Sequence, residues 1–202
     1  MLWRMSHSRR FFCSNSLYAY ADGDPVSEAD PTGLWGTDAH NAILQYAFPD
    51  LTWGQLLAME QGSLSVDALW NQGPSNAYQH AMRAPYQSIA DAQAKMCAFV
   101  ANNLATYRAH QGSSDPNVQY DAYYALGEAM HPIMDSTSPA HTGWQIWYNP
   151  AWPGNWGEIP NHGDSSTSLE NLAHLTPALL NETVARIQQA LNGSGQCSCG
   201  GK

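Results

Sequence analysis

Apolar side chains recur every three to four residues through Ile89, Ala92, Met96, Phe99 and Tyr107, with Asn103 the one interruption and Asp91, Lys95 and Arg108 elsewhere on the cylinder. That period belongs to a helix with one buried face and predicts a long helix over 88–110. The same spacing predicts a helix from Val118 through Tyr123, Leu126 and Met130 to Met134. A third is predicted from Ser168 through Leu172, Leu179, Val184 and Ile187 to Leu191, and shorter helices around 39–47 and 52–60. Before residue 35 the pattern changes. Asn15 to Tyr20 alternates as a strand does, and Asp22-Gly-Asp-Pro25 and Asp30-Pro-Thr-Gly33 are turn-forming clusters. Between His141 and His162 stand four tryptophans, three prolines and three glycines, too many breakers for regular structure. The expected fold class is all-α, a multi-helix bundle with one long loop and a short extended segment in front.

A chain of 202 residues, 44% hydrophobic and 12% charged, fits one globular domain with an appendage. Its 17 acidic and 8 basic side chains give a net charge of -9, the opposite of the basic footprint that phosphate backbones select. A nucleic-acid-binding module is disfavoured unless bound cations reverse the local field. No apolar run approaches the roughly 18 residues of a membrane span. Arg4, Arg9 and Arg10 are not followed by the apolar stretch of about seven or more residues that a secretory signal needs, so no classical signal peptide is expected. Cys13, Cys97, Cys197 and Cys199 imply neither a paired framework nor a zinc ribbon, and 193–202 is expected to be a flexible Gly/Ser/Cys tail.

The densest chemistry lies in Leu126-Gly-Glu-Ala-Met-His131-Pro-Ile-Met-Asp135-Ser-Thr-Ser-Pro-Ala-His141. His131 and Asp135 are one helical turn apart, so an imidazole and a carboxylate can share one cation. Pro139 ends the helix soon after Asp135, which lets His141 fold back toward the same pocket. Histidine with carboxylate and no thiolate is a zinc-like ligand set, and an incomplete one points to catalysis. The competing reading is a surface histidine and a capping aspartate.

The motif H-x3-D-x5-H, inside L-G-x-A-M-H and S-P-A-H, resembles the zinc-dependent phospholipase C family and, with less local identity, the related zinc nucleases that prefer single strands. The resemblance implies a phospholipase C-like bundle around up to three zinc ions. One site would use Asp67, His80, His131 and Asp135, with Tyr78-Gln-His80-Ala-Met around the second ligand. Another would use His141, His162 and a carboxylate. The third would use the free amine and carbonyl of Trp35, His40 and the second oxygen of Asp135. The family places a carboxylate four residues after the late histidine; here that position is Ser166, leaving Asp164 and Glu170 as candidates. Glu170 with His174 also reads as a solvent-facing pair, and His7 and His110 match no motif. Asp67, at the cluster's edge, is the candidate to orient or deprotonate the attacking water.

Tyr18-Ala-Tyr20, Asp24-Pro25-Val26 and Asp30-Pro31-Thr32-Gly33-Leu34 resemble the end of the core of Rhs-repeat proteins, whose shell cuts itself after a D-P-x-G-L element and encloses the released toxin. The resemblance implies a core remnant over 1–34, cleavage after Leu34 with Asp30 in the element, and a toxin domain over 35–192 starting at Trp35. Partners would be the parent Rhs shell, a cognate immunity protein and a phospholipid surface, and the chain would be an effector delivered to a target cell. Trp144, Trp147, Trp152 and Trp156 are candidates for membrane contact, since indole suits the headgroup interface. The competing expectation is that those rings pack over the helices. A nuclease, for which nucleic acid would be the substrate, and an inactive binding or structural fragment are the alternatives.

Overall fold

The computed structural model describes residues 37–147 and 171–192, apart from the side chain of Leu69. Asp30, Leu34, Trp35, Trp152, Trp156, His162, Asp164 and Glu170, with the core remnant over 1–34 and the tail over 193–202, lie outside them. The described residues are helical: α1 Thr37–Ala47, α2 Trp53–Val66, α3 Ile89–His110, α4 Pro116–Asp135 and α5 Pro177–Leu191. Short 3-10 turns run over Leu69–Asn71, Pro74–His80, Pro139–His141 and Leu172–His174. None of these helices is long and apolar enough to cross a membrane.

Local chemistry sets the helix starts. Thr52 and Gln55 form a reciprocal capping box at α2, and Ser88 caps α3. Asp115 before Pro116 and Thr176 before Pro177 pair a capping oxygen with a proline whose missing N–H costs nothing at the first turn. Pro177 also corrects the predicted third helix. The residue before a proline favours extended backbone, so Thr176 sits at ψ 155 and α5 begins only after it. The buried stripe of α3 is Ala92, Met96, Val100 and Leu104 rather than the Ile89–Tyr107 line, and Ile89 is 44% exposed.

α4 is the central helix; α2 and α3 pack most extensively on it, and α1 and α5 close the bundle. Met59, Met96, Leu126, Met130 and Met134 are fully buried together with Ile43, Leu44 and Ile187. Burying each such side chain is worth about 1.5–3 kcal/mol. α2 extends past the predicted 52–60 because Gly62 is an asset there. A Cβ on Gly62 would stand 2.0 Å from the Tyr124 carbonyl oxygen, and one on Gly127 would stand 1.9 Å from that of Met59. Only glycine allows α2 and α4 to touch backbone to backbone at these positions, and that crossing carries the residues after each glycine into one place. Beyond α4, Thr137 and Thr183 join their buried hydroxyls at 2.7 Å, which docks α5. Cys97 on α3 is disulfide-bonded.

Candidate metal centre

Five ionisable side chains from four parts of the fold meet inside the bundle. His131 and Asp135 stand one turn apart at the end of α4, as their spacing predicts, and both are fully buried. Asp67 caps the C-terminus of α2, five residues after the Gly62 crossing. His80 closes the 3-10 turn Pro74–His80; Ala81 then adopts φ 52, a left-handed conformation costly for a residue with a Cβ, and reverses the chain. His40 comes from the first turn of α1 and is 2% exposed.

Four atoms lie at the corners of a small polyhedron. His131 Nε2 is 3.2 Å from His80 Nδ1, 3.1 Å from Asp135 Oδ2 and 3.4 Å from Asp67 Oδ1. His80 Nδ1 is 3.4 Å from Asp135 Oδ2 and 3.9 Å from Asp67 Oδ1. A tetrahedral ion with bonds of about 2.0–2.1 Å needs ligand–ligand edges of about 3.3–3.4 Å. The edges among His80, His131 and Asp135 lie close to that value, so these three side chains can hold one metal ion, with Asp67 Oδ1 nearby. Asp135 Oδ2 is fully buried and has no well-aligned hydrogen bond among the described residues, its nearest nitrogens being His131 Nε2 and His80 Nδ1, and a buried carboxylate oxygen in that state suits a cation.

The two carboxylates turn their other oxygens elsewhere. His40 Nε2 is 3.0 Å from Asp135 Oδ1, and His40 Nδ1 is 3.7 Å from Asp67 Oδ2. Two ligand groupings share His131: His80, His131 and Asp135 form one, and His40, Asp67 and His131 the other.

The protonation states suit metal binding. Burial pushes His131 down to about 3 and lowers His80, so both rings are neutral at pH 7 and offer lone pairs. Burial alone would raise Asp135, but His131, His141 and His40 around it more than offset this and hold its carboxyl well below the usual range. Hydrogen bonds aim two of the rings. Ser63 Oγ is 3.2 Å from His131 Nδ1, so Nδ1–H can donate to it and leave Nε2 as the ligand atom. His141 is likewise buried, and its Nδ1 donates to the backbone carbonyl of His80, which leaves Nε2 as that ring's lone-pair nitrogen.

The structure thus brings together His40, Asp67, His80, His131 and Asp135, with His141 beside them. It does not describe Trp35, His162, Asp164 or Glu170. Trp147 follows the packing expectation and not membrane contact: it is 1% exposed, its Nε1 donates to the Gln72 carbonyl at 2.8 Å, and its ring packs beside His80. Trp144 is half-buried, and Arg83 Nε holds its carbonyl at 3.0 Å. The predicted long loop opens as a pinned strap, bridged to Arg83 at Ile146. Ser63 was missed because a serine inside a helix is usually uninformative; its neighbour Gly62 and its place four residues before Asp67 are the available signal. His110 and His174 are exposed. No protein-family model, curated protein or solved structure matches the chain.

Proposed function

We propose that the chain is a zinc-dependent phosphodiester hydrolase of phospholipase C type, acting as an antibacterial effector freed by cleavage after Leu34. The supporting observation is that Asp67 and Asp135 each turn one oxygen toward His80 and His131 and the other toward His40. Carboxylates that face different histidines with their two oxygens suit a site for more than one cation. Zinc bound there would neutralise the phosphate, lower the pKa of a nearby water toward 7 and stabilise the departing oxygen.

The remaining work falls to this chain's own groups. His80, His131 and Asp135 act as ligands. Asp67 is the carboxylate with access to solvent, its side chain being 8% exposed against 0% for Asp135. It would orient the attacking water and accept its proton. His141, with its Nδ1 proton committed to the His80 carbonyl, would serve a further cation with His162 and either Asp164 or Glu170. His40 would be joined by the amine and carbonyl of Trp35. A peptide nitrogen is a poor ligand, whereas a free α-amine, with a pKa of about 7.7, deprotonates readily onto a metal. Cleavage would therefore complete the centre as well as release the domain.

The test compares the full chain with one starting at Trp35, each zinc-loaded, on phosphatidylcholine vesicles and on single-stranded DNA. The expected result is lipid hydrolysis with a higher zinc content and rate in the shorter chain. Hydrolysis of DNA alone would favour the nuclease, and no zinc in either chain would favour an inactive fragment. Equal zinc content and equal rates would refute the role of the new amine.

A further inference from the structure

The rings facing the centre are not supported alike. His131 has Ser63 Oγ at its distal nitrogen and His141 has the His80 carbonyl. His80 is fully buried with Nδ1 toward the carboxylates, and its distal Nε2 has no hydrogen-bond partner among the described residues. A histidine that ligates a metal nearly always donates its other N–H to an oxygen, which fixes the tautomer and the ring's rotation. Something else must set the rotation of His80.

We propose that Trp147 is the positioning residue for His80, substituting packing for the missing hydrogen bond. The indole lies against the imidazole with centroids 6.2 Å apart and planes tilted by 32°. Trp147 is itself fixed at both ends. Its Nε1 donates to Gln72 O at 2.8 Å, and its backbone N–H donates to Arg83 O at 2.8 Å. Arg83 in turn ties the strap before it, donating from its backbone N to Gln145 O and from Nε to Trp144 O, both at 3.0 Å. Ala77 and Met82, on either side of His80 in sequence, complete the small apolar cluster with Trp147. The indole is held too firmly to yield, so the imidazole takes its orientation from it.

The inference rests on the metal-centre reading above, and its test separates the two. The full chain is stripped of metal and titrated with Co2+ as wild type, Trp147→Phe and Trp147→Leu, following the visible absorption bands that report coordination geometry. Uptake by the wild type is expected. Trp147→Phe, which keeps a ring but loses the bond to Gln72, should bind Co2+ about 10-fold more weakly, and Trp147→Leu up to about 100-fold more weakly. Both should show an altered band shape at saturation. Should Trp147→Leu fail to fold by circular dichroism, Trp147→Phe decides. Wild-type affinity and band shape in folded Trp147→Phe would overturn the proposal even if its melting temperature fell, because that pattern is purely structural support. No Co2+ uptake by the wild type would overturn the centre itself, and the positioning role with it.

Discussion

Replacing Gly127 by alanine adds one methyl group where the fold has no room. Its Cβ would sit 1.9 Å from Met59 O and 2.8 Å from Ser63 N, both backbone atoms of α2 that cannot rotate away. Carbon and a carbonyl oxygen normally approach to about 3.3–3.6 Å, so the helices must separate locally by roughly 1.5 Å. Overpacking a core costs about 1–3 kcal/mol and occasionally more; alanine returns about 1 kcal/mol of helix propensity. With backbone on both sides of the clash the cost lies at or above the top of that range, about 3–4 kcal/mol, and the expected net loss is about 2–3 kcal/mol. The centre should suffer more than the fold, since His131 lies one turn beyond Gly127 and its supporting Ser63 belongs to the displaced segment. Denaturant unfolding of the metal-free protein, with zinc affinity measured by competition against a chelator, reads both effects. Gly54→Ala in α2 is the control, because nothing lies within 4 Å of the added methyl. It should be neutral or slightly stabilising. A Gly127→Ala protein with wild-type stability and zinc affinity would refute the backbone contact as the element that builds the site.

Ser63→Ala removes the oxygen at His131 Nδ1 and should weaken zinc about 10-fold with little change in melting temperature. Asp67→Asn should lower hydrolysis by about 100-fold or more while the protein still takes up zinc, more weakly; undiminished turnover would remove Asp67 from its proposed role. Acid should destabilise the metal-free protein. His131 is held down to about 3 in the folded state, so below its unfolded value of about 6.5 the unfolded chain binds more protons and stability falls. The loss attributable to His131 at pH 5 is about 2 kcal/mol relative to pH 7.5, and His80, also lowered, adds to it. Below about pH 4 the protonation of Asp135 continues the decline, since its folded pKa lies under its unfolded one. Melting temperatures that stay flat between pH 7.5 and 5 would show that the histidines are not held neutral.

What the sequence disclosed divides along the line between local and non-local causes. The helices over 88–110 and 118–134 were legible because each depends on its own apolar period. His131 with Asp135 was legible because a four-residue spacing fixes a shared face whatever the helix packs against. Periodicity could not place Asp67 or His80 beside them. Asp67 is a C-cap and His80 ends a 3-10 turn, and their approach to α4 depends on two glycines making a crossing between distant segments. Family likeness alone nominated those two residues. Trp147 could not be decided between packing and membrane contact for a related reason: a tryptophan in a breaker-rich stretch fits either until Arg83, 64 positions earlier, is seen to anchor the strap around it. The start of α5 was open to a local rule, and Pro177 was the residue to weigh.

Asp135 shows what such a centre costs the fold. It is the last residue of α4, at the negative end of the helix dipole, where a carboxylate is disfavoured. It is also fully buried, and its Oδ2 has no well-aligned hydrogen bond among the described residues. Each feature alone disfavours the charged carboxylate, and only the histidines packed around Asp135 offset them and hold its carboxyl below the usual range. An apolar residue of similar size would serve the core better. A chain shaped for stability alone would not keep this arrangement, whereas one that gains its last increment of stability from a bound cation would. Any ion that binds the folded state and not the unfolded one adds RT ln(1 + [L]/Kd), about 2.7 kcal/mol at a hundredfold excess over Kd. A cation bound beside Asp135 would add to the charge that the histidines already supply, so the buried carboxylate that an apolar core would not keep is the group that could hold a metal.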